Sequence, residues 1–337
     1  MSETHRSEQI DKSIVILGGA KPLARALAVS LMRQPATRVV LMDRPDPTIA
    51  LLDERTPLLG RGADGHELHS WREQFGTGKV AGASVGHDSM AWTVGSLGLL
   101  RPARIVLCVA LRSQPSFHVG HWSPIAALSD ELAGFLGAVR EYTRLVRLGD
   151  APMPTVMVCI SGVSGASSVT SVSRLAQALI EEQLGDLGPE VSVVLMPRLL
   201  GAGPVADADF QFVLRRLLLG GMLRVDTEQP LPQWIDQNYA AQLVDAVLTA
   251  DQAGKQRRAM SAVSENPSGA LMLPGYAGSL GYLARIAADE VDRLLSDPVL
   301  RRCELVDQWL PREATASVSS ALADAIRLAV RWNVANV

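Results

Sequence analysis

Ser13–Ala24 reads SIVILGGAKPLA, and its interpretation decides the fold. Ile14 to Leu17 run without polar alternation, the mark of a short strand covered on both faces. The run breaks at Gly18 and Gly19, after which Leu23, Leu27 and Leu31 recur at i, i+4 and i+8, the stripe of a helix lying on a sheet. Arg38–Asp43 (RVVLMD) reads as a second strand, ended by Pro45 and Pro47. Strand, glycine turn, helix and strand make a βαβ opening, and its strands are parallel.

Further strands follow in the same rhythm. Lys79–Ser84 is read as a third strand, Arg104–Ala110 (RIVLCVA) as a fourth, Thr155–Ser161 (TVMVCIS) as a fifth and Val191–Pro197 (VSVVLMP) as a sixth. A long amphipathic helix is expected over Ile125–Leu148 and another over Thr170–Gln183. Strands alternating with helices predict an α/β protein with a doubly wound parallel sheet of the Rossmann type. After Pro197 the rhythm changes. Helices are expected over Phe210–Leu219, Asn238–Ala250, from Ser279 onward and over Ser317–Trp332, with Gln233–Asp236 (QWID) as a short strand. The expected division is a dinucleotide-binding domain over residues 1–200 and a smaller, mostly helical substrate lid over 201–337. Residues 232–250 are expected to return to the first domain.

Composition narrows the function classes. With 47% hydrophobic and 20% charged residues, the 337-residue chain can bury a large core. A net charge of −3 argues against nucleic-acid or anionic-membrane partners, which need a surplus of Lys and Arg. Met1–Lys12 is polar and lacks the apolar region of a secretory signal. No apolar run approaches the roughly 20 residues that cross a bilayer. Cys108, Cys159 and Cys303 form neither a disulfide framework nor a zinc pattern. A cytoplasmic, reduced protein is expected.

The order of these segments resembles the NAD-dependent epimerase/dehydratase family, the extended short-chain dehydrogenases/reductases, over nearly the whole chain. Val158–Gly165 (VCISGVSG) resembles that family's serine-bearing S-S-x-x-V-Y-G strand. Leu195–Pro204 (LMPRLLGAGP) resembles its R-P-x-x-x-Y-G-P turn, with Met196 in the Arg place. Trp234–Ala241 (WIDQNYAA) resembles its V-D-D-V-A step, and Gln308–Pro311 with Ser317–Trp332 resembles its terminal G-W-x-P and helix. The resemblance implies a homodimer through the Ile125–Leu148 and Thr170–Gln183 helices, and NAD as cofactor. NADP, or a site that has lost its cofactor, are the alternatives.

A dinucleotide fingerprint needs small residues for the turn, for backbone approach to the diphosphate and for helix packing. Gly18 holds the first place and Ala24 an acceptable third, but Lys21 stands where the second glycine belongs. Its side chain either crowds the diphosphate or binds it at the helix N-terminus. Pro22 suits the first helical turn. Asp43 ends the second strand where a carboxylate accepts hydrogen bonds from the adenosine ribose, a placement favouring NAD, with Arg44 beside it softening the preference. Gly18, Gly19, Lys21, Leu23, Asp43, Arg44 and Ala110 are the candidate cofactor contacts. The competing reading makes the glycines a plain turn and Asp43 a solvated strand end.

The family's acid/base is a Tyr whose pKa a Lys four residues later lowers, beside a Ser that polarises the substrate oxygen. This chain has no Tyr-x-x-x-Lys: four residues before Lys12, Lys21, Lys79 and Lys255 stand Glu8, Leu17, Phe75 and Asp251. At the matching helix Thr170 takes the Tyr place and Arg174 the Lys place, with Ser161 and Ser164 near the serine position. A threonine hydroxyl is too weak an acid to substitute directly. His118 and His121, in Phe117–Trp122 after the fourth strand, are candidate replacements, since an imidazole titrates at about 6.5. They read equally as solvated loop residues, and their spacing without carboxylates argues against a metal site. Arg112, Arg198 and Asp236 are candidate substrate contacts, the arginines for a phosphorylated or carboxylated ligand. Three functions stay open. One is an NAD-dependent enzyme of small-molecule, nucleotide-sugar or secondary-metabolite biosynthesis with a substituted acid/base. The others are a non-redox lyase, isomerase or cyclase, and an inactive binding or regulatory subunit.

Overall fold

The computed structural model describes residues 12–19, 21–32, 37–42, 89–111, 123–149, 153–201, 208–219, 221–225, 232–249, 264–265, 269–295, 303–307 and 320–336. The apolar runs form the sheet the sequence predicts. β1 (Lys12–Leu17), β2 (Thr37–Met42), β3 (Arg104–Ala110), β4 (Thr155–Ser161) and β5 (Val191–Leu195) lie parallel in the order β2-β1-β3-β4-β5. Beyond β5 the sheet continues with β10 (Leu271–Met272), parallel, and closes on β9 (Ser264–Glu265), antiparallel. Lys79–Ser84, the third strand of the sequence reading, lies outside the described residues.

β1, β3, β4 and β5 bury side chains on both faces, which is why polar alternation is missing there. Val15 and Leu17 face one way, into a core shared with α2 (Ser89–Leu100), α3 (Pro124–Arg147) and α4 (Ala166–Leu184). Ile14 and Ile16 face the other, into a core with α1 (Pro22–Met32) and α6 (Gln237–Thr249). Fully burying one such side chain is worth roughly 1.5–3 kcal/mol, against about 0.5–1.5 kcal/mol for an ordinary hydrogen bond. α1 and α6 are also tied by the Ser30 hydroxyl, which donates to Asp245 Oδ2 at 2.6 Å. The Ser123 side chain accepts from the Ala126 N–H to cap α3, and Pro124 fills its first turn at no loss of a donor.

A third core gathers α5 (Ala208–Leu219), α7 (Leu280–Leu294) and α8 (Ser320–Asn336) around Phe210, Leu283 and Trp234. Trp234 belongs to β8 (Gln233–Asp236), which pairs with β6 (Arg198–Leu200) and β11 (Tyr276–Ala277). Its indole N–H donates to the Gly278 carbonyl at 2.8 Å, so the large ring is buried without an orphan donor. β7 (Gly221–Val225) and β12 (Cys303–Asp307) form a separate parallel pair. Among the described residues no helix is long and apolar enough to cross a membrane.

Glu290 joins α7 to α8. Its carboxylate, 4% exposed, accepts from Arg293 Nη2 at 2.7 Å and from Arg331 Nε at 2.7 Å. The Arg293 hydrogen bonds, then those of Arg331, outweigh the upward push of burial and hold its carboxyl down to about 2. A lowered folded-state pKa contributes stability above the ordinary value of 4.5, lost as pH falls from there toward about 2. Glu290→Gln is therefore expected to lower the urea midpoint at pH 7. The gap from the parent protein should close as unfolding is repeated at successively lower pH below 4.5.

Candidate functional site

The carboxyl edge of the sheet is where open α/β folds bind ligands, at the point where neighbouring strands send their helices to opposite faces. Here those strands are β1, followed by α1, and β3, followed by α3. The chain leaves β1 through Gly18 at φ +81°, where a Cβ would stand 2.1 Å from the carbonyl oxygen of Cys108 on β3. Only glycine fits. The Gly19 N–H donates to the Met42 carbonyl of β2 at 2.8 Å, and a Cβ there would press on Leu41 at 3.0 Å. The Lys21 N–H closes the turn on the Gly18 carbonyl at 2.9 Å. The turn is thus clamped between β2 and β3, and α1 opens at its exit with first-turn N–H groups that have no intrahelical acceptor. Leu23 and Ala24 point into the core, so of Leu23 only the backbone remains available to a ligand.

Lys21 neither projects freely nor crowds the turn. Its ammonium makes a 2.8 Å ion pair with Glu131 Oε1, both side chains largely shielded, at 16% and 21% exposure. Glu131 lies two turns into α3, on the opposite face of the sheet from α1, so the pair crosses the edge between β1 and β3. Nothing in the sequence links these two positions, and the reading above missed Glu131.

Ala110 and Ser161 end β3 and β4 side by side. Ser161 is buried, its hydroxyl donating to the Val109 carbonyl at 3.4 Å, a long bond that leaves lone pairs for another donor. Gly162 at φ +85° follows, with no room for a Cβ against the Leu111 carbonyl. The N–H groups of Gly162 and Val163 are spent on the Pro197 and Met196 carbonyls, at 3.1 and 3.0 Å, and do not form an anion hole. Ser164 is half-buried beside them.

α4 begins at Ala166, one turn before the expected Thr170, because Gly165 at φ +80° turns the chain early and the small Ala-Ser-Ser run enters the helix at once. Thr170 is therefore inside the helix. Its exposed hydroxyl donates to the Ala166 carbonyl at 3.0 Å, a local bond that commits the proton to the helix backbone. Arg174 lies one turn further along the same exposed face.

Arg198 and Asp236 are placed in the structural web of the C-terminal half. Arg198 pairs with Asp209 at 3.3 Å and lies 5.3 Å from the Trp234 ring centre. Asp236 caps α6, its Oδ1 accepting from the Tyr239 N–H at 2.8 Å. Burial raises its carboxyl pKa, opposed by the backbone N–H groups of Tyr239 and Asn238. Asp43, Arg44, Arg112, His118 and His121 lie outside the described residues. Among the described residues no three His, Cys, Asp or Glu side chains gather into a metal site.

Sheet order, glycine turn and C-terminal helical layer together match the fold of solved epimerases and dehydratases. No family model matches the chain, and no curated protein matches it in sequence. Solved structures do. UDP-glucuronic acid 4-epimerase from Bacillus cereus, in complex with UDP-glucuronic acid and NAD, is 9% identical with a TM-score of 0.52, over 95% of this chain and 98% of that one. A GDP-L-fucose synthetase from Naegleria fowleri bound to NADP is 10% identical with a TM-score of 0.51, over 97% and 93%. dTDP-glucose 4,6-dehydratase from Bacillus anthracis, in complex with NAD, is 10% identical with a TM-score of 0.50, over 96% and 97%. At these identities the likeness is one of fold.

Gly18→Ala is expected to cost about 1–3 kcal/mol from the left-handed backbone alone, and more from the push on β3. Denaturant unfolding beside Gly98→Ala measures it, since a Cβ at Gly98 on α2 meets open space and is expected to be neutral or stabilising.

Proposed function

We propose that the protein binds NAD, with NADP as the weaker alternative, at the turn between β1 and α1. We propose that it acts on a nucleotide sugar or related small molecule as an epimerase- or dehydratase-type enzyme whose acid/base is not a tyrosine. The observation that carries the reading is the glycine turn. Gly18 and Gly19 bring bare backbone to the carboxyl edge at the switch point, with the N-terminus of an 11-residue helix behind it. The like-folded epimerase, synthetase and dehydratase that were crystallised with NAD or NADP support it.

In this reading the N–H groups of the first turn of α1 bind the diphosphate, and Asp43, with Arg44 beside it, takes the adenosine ribose. Ala110 is small enough to leave room where β3 ends. When bound, the nicotinamide supplies reversible hydride transfer. The chain's own residues supply everything else. The Ser161 hydroxyl, at the end of β4, polarises the substrate oxygen, with Ser164 next to it. Thr170 is not assigned the acid/base role, because a threonine hydroxyl is a weak acid and its bond to the Ala166 carbonyl argues against it. Arg174 stays charged and holds a ribose or phosphate. The proton is assigned to His118 or His121, which the sequence places in the connection leaving β3 at this edge. Residues 1–200 then serve as the dinucleotide domain, with 232–250 packed back on it, and the remainder of 201–337 as the lid. A homodimer through α3 and α4 completes the proposal. The missing Tyr-x-x-x-Lys favours one rival, a non-redox lyase or isomerase on the same fold.

Small molecules released by denaturing the purified protein are identified by mass spectrometry, and the emptied protein is titrated calorimetrically with NAD and NADP. Bound or micromolar dinucleotide, NAD tighter, is expected, whereas no binding of either at millimolar concentration overturns the reading. With an active nucleotide sugar in hand, replacing His118 and His121 together by Ala should lower kcat by about 100-fold or more. Thr170→Val should leave it within about twofold, since only a local backbone bond is lost.

A further inference from the structure

We infer that Glu131 sets the selectivity of the dinucleotide site, by holding the Lys21 ammonium across its mouth and opposing any anion that arrives without the rest of a dinucleotide. The inference rests on reading the glycine turn as that site. Three observations carry it. Lys21 precedes Pro22, the first residue of α1, so its charge lies beside the helix N-terminus that a diphosphate would occupy. Its partner belongs to α3, in the core on the other side of the sheet, so the pair spans the carboxyl edge at the switch point instead of decorating one helix. Both side chains are largely shielded, and a charge so placed is weakly screened and acts strongly on a neighbouring anion.

The consequence follows from charge alone. A diphosphate at the α1 N-terminus is attracted by Lys21 and repelled by Glu131. If Lys21 swings to the ligand, Glu131 is left shielded without its counter-ion. If Lys21 stays, the ammonium is already neutralised. Either way Glu131 opposes an anion there, and it opposes the more highly charged terminal phosphate of pyrophosphate or a nucleoside diphosphate more than the diester-linked diphosphate of a dinucleotide. Free pyrophosphate and nucleoside diphosphates are therefore discriminated against. This makes Glu131 a positioning residue acting through Lys21, and the lysine in the second-glycine place becomes one half of a selectivity device.

The experiment uses the purified full chain, stripped of small molecules, titrated calorimetrically with NAD, ADP and, as an uncharged control, adenosine. Glu131→Gln keeps the shape and removes the charge. It is expected to tighten ADP about tenfold and NAD by clearly less, to steepen the salt dependence of ADP binding and to leave adenosine unchanged, whereas an equal gain for NAD overturns the selectivity role. Lys21→Gln is expected to weaken ADP about tenfold with adenosine again unchanged, and the double variant to return near the parent value because the lost attraction and the lost repulsion offset each other. Glu131→Asp, which keeps the charge on a shorter arm, serves as the second variant if Glu131→Gln fails to fold, and is expected to lie between parent and Glu131→Gln. Unchanged or weaker ADP binding in a folded Glu131 variant, with NAD still bound, overturns the inference and leaves the cofactor reading standing. If neither the parent nor any variant binds NAD, ADP or adenosine, the cofactor reading itself falls and takes the inference with it.

Discussion

The carbonyl oxygen of Cys108 occupies the space where a side chain at position 18 would begin, and the geometry of the whole carboxyl edge follows from that contact. Because Gly18 has no Cβ, the chain can leave β1 in a left-handed conformation pressed against β3, and Gly19 can then hydrogen-bond across to β2. The turn is held from both sides, so α1 enters with a defined direction and its N-terminus faces the crevice. Burial of β1 on both faces supplies the stability that keeps this tight contact in place.

The same device recurs at the end of β4. Gly162 leans on the Leu111 carbonyl as Gly18 leans on Cys108, and Gly165 then starts α4 a turn early. Two glycines three residues apart thus bring Ser161 and Ser164 to the edge while carrying Thr170 into the helix. A hydroxyl inside a helix, exposed and near its own i−4 carbonyl, satisfies itself locally. Thr170, which the sequence reading set in the tyrosine place, lies on the exposed surface of this helix.

Charge in this protein is used mainly to join elements. Lys21–Glu131 links the turn before α1 to α3 on the opposite face of the sheet, Arg198–Asp209 links β6 to α5 beside Trp234, and Glu290, also paired with Arg293 on its own helix, ties α7 to α8 through Arg331. Removing one partner of the shielded Lys21–Glu131 or Arg198–Asp209 pair leaves the other without compensation. For Lys21 that pairing coincides with the candidate ligand site, and there alone it acquires a functional meaning.

Much of the fold was legible in the sequence because its signals are local. The continuous apolar runs of β1, β3, β4 and β5, the leucine stripe of α1, and the Ser279 cap, whose hydroxyl accepts from the Tyr282 N–H, each depend on a few neighbouring residues. What was missed lacks such a signal. β9 and β10 are two residues each and exist only because β5 offers them an edge, and α2 is apolar nearly all round, so no stripe marks it. α4 was placed a turn late because a glycine's sign of φ is not written in its identity. The strand and helix alphabet, the glycine turn and the absence of a Tyr-x-x-x-Lys pair were set by the sequence alone, since bonding along the chain and short-range sterics suffice for them. That Lys21 meets Glu131 and that Arg198 is held by Asp209 and Trp234 were decided by the tertiary structure. Those contacts depend on how the elements cross, and crossing is settled by which faces the sheet must bury.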